Sequence, residues 1–170
     1  MFLSVCAFSI MDLIVKWSSD YPLGEVLFFR GFFGMVFYFF IIPRERIKNF
    51  YITNRPGLHF LRCLFGIIAL IAIFIALRNL PLATVVSISF ATPIFTTIFS
   101  IIFLSEKVGL YRWLAVLVGF VGIIVITQPG LNTLNIYYIF PIIFCLGLSY
   151  VAIAIRQLSS TEPVWLISFY

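Results

Sequence analysis

ALRNLPLATVVSISFATPIFTTIFSIIFLSEKVGLYRWLAVLVGFVG, residues 76–122, sets two apolar runs, at about 83–104 and 110–126, on either side of the charged turn Ser105-Glu106-Lys107. Each run is close to the ~20 residues that a helix rising ~1.5 Å per residue needs to cross ~30 Å of hydrocarbon. Membrane-crossing strands would be about ten residues long and would alternate apolar with polar side chains, which these runs do not. The stretch therefore reads as two transmembrane helices joined by a short polar turn.

Working outward, four more runs lie at about 2–17, 23–42, 58–77 and 137–155, and a seventh begins near Pro163. The composition agrees: of 170 residues 63% are apolar, 21 are Phe, and only 10% are charged, whereas a soluble domain is about half apolar and about a quarter charged. The first run lacks the basic start and small-residue cleavage site of a signal peptide and carries Asp12 and Lys16, so it counts as a span. The expected fold class is an all-α integral membrane protein, a multi-span helical bundle. Cys6, Cys63 and Cys145 all fall in apolar runs without CxxC or Cys/His spacing, which points to small packing groups and no metal site.

Net charge is +5, and its placement sets the orientation. Arg44, Arg46, Lys48, Arg55 and Arg62 surround the connection from span 2 to span 3; Lys107 and Arg112 follow span 4; Arg156 follows span 6. The intervening connections hold only Lys16 and Arg78. This bias places the amino terminus in the cytoplasm, in a multi-pass protein of the inner or plasma membrane. The basic 43–62 stretch has no soluble domain behind it, so anionic lipid and the insertion machinery explain it and no nucleic-acid partner is expected.

An internal repeat is also visible. Ser18-Ser19-Asp20-Tyr21-Pro22 aligns with Ser159-Ser160-Thr161-Glu162-Pro163 at an offset of 141, and the same register pairs Phe28 with Phe169 and Phe29 with Tyr170. Span 1 then falls on span 6, and span 2 on span 7. An odd number of spans separates the copies, so the second crosses the membrane in the opposite sense, as the charge alternation independently requires. Inverted repeats of this kind build many secondary transporters, with the substrate site between copies near the midplane. The chain stops one residue before the counterpart of Arg30, so a complete protein of roughly 280 residues is expected, twice the offset, with the present chain a fragment of it.

The Ala76-Leu77-Arg78 entry to span 4, the mid-span Pro93, the Ser105-Glu106-Lys107 turn, Trp113 and Gly122 resemble the fourth and fifth helices of an EamA domain, the repeat unit of the drug/metabolite transporter superfamily. Arg30, in the context FFRG, resembles the family's second-helix arginine. Ser105 and Ala115 stand where many members have Gly, which implies slightly looser packing there. Within the family, MDLIVK followed by EVLFFR is most similar to the branch of S-adenosylmethionine and riboflavin importers. The resemblance implies one EamA repeat over 1–127 and the truncated start of a second over 137–170. It also implies a ten-helix carrier in which helices 1 to 4 of each copy line a cavity, working by alternating access with no bound cofactor.

Arg30 lies about eight residues, or roughly 12 Å, into span 2. Burying it in lipid would cost about 2.5–3.5 kcal/mol, so it either pairs internally with Asp12 or faces a hydrated cavity, near an anionic substrate group or a proton site. Asp12 and Lys16 are four apart on one face of span 1. Lys16 is near enough to the interface to snorkel, and Asp12 is deeper, which makes Asp12 either half of a neutralising pair or a proton carrier. Glu25 sits at the amino end of span 2, where the helix dipole favours an acid.

Ser89, Thr92, Thr96 and Ser100 share a face of span 4 around Pro93. Proline frees one carbonyl and bends the helix, and the hydroxyls satisfy that carbonyl, line a movable cavity wall, or do both. Pro93 is the expected hinge. Ala115, Gly119 and Gly122 form a small-residue step for helix packing or a homodimer contact. Most of the many aromatics are expected to face lipid or neighbouring helices, and His59 is expected to be a satisfied interfacial residue. Neither HExxH nor GxSxG occurs, so no enzyme is expected. The leading expectation is a secondary transporter of a small organic metabolite, binding through Asp12, Arg30, Ser89, Thr92 and Thr96; the alternative is a non-transporting membrane subunit or an intramembrane enzyme.

Overall fold

The computed structural model describes residues 2–17, 21–41, 53, 55–105, 109–127 and 136–169. Its helices are α1 (Phe2–Trp17), α2 (Leu23–Ile41), α3 (Pro56–Asn79), α4 (Leu82–Ser89), α5 (Thr92–Leu104), α6 (Leu110–Thr127), α7 (Ile139–Leu158) and α8 (Val164–Phe169), with a 3-10 turn at Ile136–Tyr138. The basic residues Arg44, Arg46 and Lys48, the Glu106-Lys107 pair and the Gln128-Pro129-Gly130 turn lie outside the described residues. The protein is an all-α membrane protein. Among the described residues, Pro56–Asn79, Leu82–Leu104 and Ile136–Leu158 are long and apolar enough to cross a bilayer, with mean hydropathies of 2.7, 1.9 and 2.3.

The fourth span, expected at 83–104 with a bend at Pro93, is interrupted more fully than a bend. It crosses as two helices, α4 and α5, broken at Phe90 and Ala91. Pro93 sits in the first turn of α5, where its missing N–H is tolerated. The Ala91 N–H turns instead to Ile88 O at 2.9 Å, one residue short of the α-helical partner. The break therefore lies ahead of the proline, at Phe90 and Ala91.

The bundle is organised on α3, which packs most extensively against α7, while α5 lies on the other flank of α7. The α3–α7 contact is backbone-close. A Cβ built on Gly147 would lie 2.9 Å from Ala69 Cβ and 2.9 Å from Phe65 O. The small-residue step of span 5 behaves differently: a Cβ on Gly119 or Gly122 meets nothing within 4 Å, so the packing expected there is not made within the described chain. Sequence reading favoured Ala115-Gly119-Gly122 for its regular spacing, yet the close approach uses one glycine inside CLGLSY.

At one end of the bundle Val15, Phe74, Leu77, Leu80 and Val85 form a buried apolar cluster, with Leu23 and Val26 packed against it. Two cations close that end. Lys16 Nζ donates to Leu77 O (2.9 Å) and Leu80 O (2.6 Å), neutralising the carboxyl end of α3, and Arg78 donates to Tyr21 O. Lys16 is thus engaged with α3 rather than simply reaching for the interface. Glu25 is exposed in the first turn of α2, as the dipole argument expects. Ser105 ends α5 in the left-handed region at φ 53°. A glycine at that position would relieve backbone strain.

Candidate functional site

A cavity of about 540 Å³ opens between α2, α3, α4 and α7, within the range of small-molecule sites. Its walls are mostly apolar, including Leu70, Ile73, Val86, Phe90, Phe144 and Leu148. Among the described residues, three polar side chains from three helices line it: Arg30 from α2, Ser89 from α4 and Thr92 from α5. The Arg30 guanidinium carbon lies 5.7 Å from the centre of the buried Phe74 ring, which fixes the cation against an aromatic face beside the cavity. Arg30 therefore lines this cavity; its other expected placement, a pair with Asp12, involves a side chain outside the described residues. Asp12 follows Met11, which lines the same cavity; the Asp12 side chain lies outside the described residues.

The proline break explains the hydroxyls. Pro93 has no N–H to give Ser89 O, and Thr92 Oγ1 donates to that carbonyl at 2.6 Å. Ser89 Oγ bonds Val85 O at 2.8 Å, and Thr97 Oγ1 bonds Pro93 O at 2.8 Å. Beyond the break the stripe leaves the cavity. Thr96 Oγ1 and Ser149 Oγ of α7, 3.1 Å apart, both reach Thr92 O, at 2.9 and 3.0 Å. Thr96 and Pro93 instead line a separate groove with Ser100 and Arg156. The structure thus brings Arg30, Ser89 and Thr92 together and sets Thr96 apart.

Sequence reading missed two α7 side chains that hold the break. Ser149 is fully buried, and Cys145, one turn earlier, points its thiol at Ile88 O, 3.4 Å away. Both residues occupy one face of α7, and their i, i+4 spacing was the available signal. It also missed the partner of His59. That imidazole is buried, and Nε2 lies 2.5 Å from Glu162 Oε2, with Thr53 Oγ1 donating to Oε1 at 2.6 Å.

Residues 1–128 match the EamA-like transporter family. The chain belongs to that family. Its relatives include an S-adenosylmethionine uptake transporter of Rickettsia prowazekii, 29% identical over 170 residues, covering 99% of this chain and 57% of the relative. A pseudopaline exporter of Pseudomonas aeruginosa is 27% identical over 167 residues, covering 96% and 57%, and a riboflavin transporter of Vibrio cholerae is 26% identical over 160 residues, covering 92% and 54%. This EamA chain therefore spans a little over half the length of these curated relatives. No solved structure matches it. An S-adenosylmethionine uptake transporter and a riboflavin transporter thus occur among its relatives together with an exporter, so kinship does not fix a direction of transport.

Proposed function

We propose that this protein is a secondary transporter of a small organic metabolite, working by alternating access in the inner or plasma membrane with its amino terminus in the cytoplasm. Arg30, Ser89 and Thr92 contact the solute, Asp12 carries the coupled proton, Pro93 marks the hinge, and Thr96 ties that hinge to α7. The two copies run over 1–127 and from 137 onward in opposite senses. One observation supports the reading above the others: a cation and two hydroxyls from α2, α4 and α5 converge on one largely apolar cavity. The broken fourth span adds to it, since discontinuous helices at cavity depth recur in carriers whose sites sit at the repeat interface. Relatives described as transporters or exporters of S-adenosylmethionine, pseudopaline and riboflavin support a small-molecule metabolite as the substrate class.

The test is uptake of such metabolites into vesicles containing the full-length protein, with and without an imposed proton gradient. Saturable uptake that Arg30→Ala removes is the expected result, whereas full uptake by Arg30→Ala discards the assignment of the site. An Asp12→Asn variant that still concentrates solute under the gradient overturns the proton role.

A further inference from the structure

The sequence repeat sets Glu162 in register with Tyr21, at the corner between the first and second helix of each copy. Both corners are gripped by α3, one from each of its ends. Arg78, near the carboxyl end, donates to the Tyr21 carbonyl in an exposed contact. His59, near the amino end, meets the Glu162 carboxylate in a buried one, with side-chain exposures of 3% and 2%. The second oxygen of that carboxylate is taken by Thr53, whose hydroxyl also accepts the Arg55 N–H at 3.2 Å. Glu162 lies two residues before α8, and its own N–H returns to Leu158 O at 2.8 Å, closing the corner on α7. Past the corner, Arg62 donates to Ile167 O at 2.6 Å and Tyr38 donates to Trp165 O, so α2 and α3 hold the backbone of α8 as well.

We propose that Glu162, held by His59 and Thr53, is a positioning residue that fixes the angle at which α8 leaves α7. The inference rests on the carrier reading only for its consequence: α8 is the register counterpart of α2, the helix that carries Arg30 to the cavity. A carboxylate removed from water keeps its place only while its oxygens stay paired, because an unpaired buried charge is far more costly than an exposed one. A buried carboxylate bonded at both oxygens does not yield at little cost, so the α8 corner is held at a set angle.

Spin-label distances in the full-length protein test this, with Cys6, Cys63 and Cys145 replaced by Ser. One label pair, Ile67→Cys with Ser168→Cys, reports α3 to α8. A second pair, Ile67→Cys with Leu148→Cys, reports α3 to α7. In Glu162→Ala and His59→Ala the α3–α8 distribution is expected to broaden or gain a shifted population, while the α3–α7 distribution stays as in the parent and shows that the bundle is folded. His59→Gln, which keeps a donor, is expected to restore the narrow α3–α8 distribution. An unchanged α3–α8 distribution in both alanine variants overturns the proposal, and so does equal broadening of both pairs, which would make the contact a general fastener of the bundle. Uptake is measured separately on the unlabelled parent and its Glu162→Ala and His59→Ala variants, with Ile67, Leu148 and Ser168 left in place. A roughly tenfold or greater loss in Glu162→Ala is expected if α8 walls the cavity. A parent protein that moves no metabolite while α8 still shifts refutes the carrier reading and leaves the positioning role standing.

Discussion

Arg30 shows how far one side chain constrains the rest. A guanidinium about eight residues inside an apolar helix has to be compensated, and here it lies against Phe74 at the edge of the cavity. Replacing it with Ala is expected to lower uptake efficiency about tenfold or more, the loss of one charge-assisted contact of about 1.5–3 kcal/mol. Arg30→Lys, which keeps the charge without the planar fork, is expected to fall between. Thr92 makes a different kind of contact, since its hydroxyl covers the carbonyl that Pro93 abandons. Thr92→Val is expected to lower thermal stability in detergent by about 1 kcal/mol, and Thr92→Ser to retain it. Ser105 offers a gain: with φ at 53°, Ser105→Gly is expected to raise stability by about 1 kcal/mol, read as a higher midpoint in the same assay.

Helices were legible because spans announce themselves by length and hydropathy. The positions of α1, α2, α3, α6 and α7 follow the apolar runs within a few residues, and Pro93 marked the region where the fourth span breaks. Contacts between helices were not legible, because every face of a membrane helix is apolar and small-residue spacing alone does not say which face meets a neighbour. Gly119 and Gly122 had the expected spacing, yet a Cβ on either would meet nothing within 4 Å, while Gly147 carries the close approach. Gly147→Ala is expected to push α3 and α7 apart and cost about 1–3 kcal/mol. Gly119→Ala is expected to stay near neutral or to gain up to about 1 kcal/mol from helix propensity. Comparing detergent melting of the two variants decides between the interfaces. Partners distant in sequence were equally hidden: His59 and Glu162 are 103 residues apart, and only their burial reveals that they belong together.

For the whole molecule, the charge alternation and the offset of 141 make one joint prediction about orientation. An epitope at the amino terminus is expected to be cleaved by protease in inside-out vesicles and protected in right-side-out ones, with the Ser18–Pro22 corner labelled in the reverse pattern. The opposite result would cost the inverted-repeat reading its main support. The proline break has a further mechanical meaning at this scale. In an unbroken helix, bending strains a ladder of backbone bonds, so the resting shape resists displacement. At Pro93 the rung is missing by covalent necessity, and the orphaned oxygen of Ser89 is already occupied by a neighbouring hydroxyl. Small changes of angle there cost no rung of the ladder, and the resting angle is set instead by side chains of α7, Ser149 on Thr92 O and Cys145 on Ile88 O; under the proposed carrier reading, that is how the wall above the joint would yield to solutes of different shape.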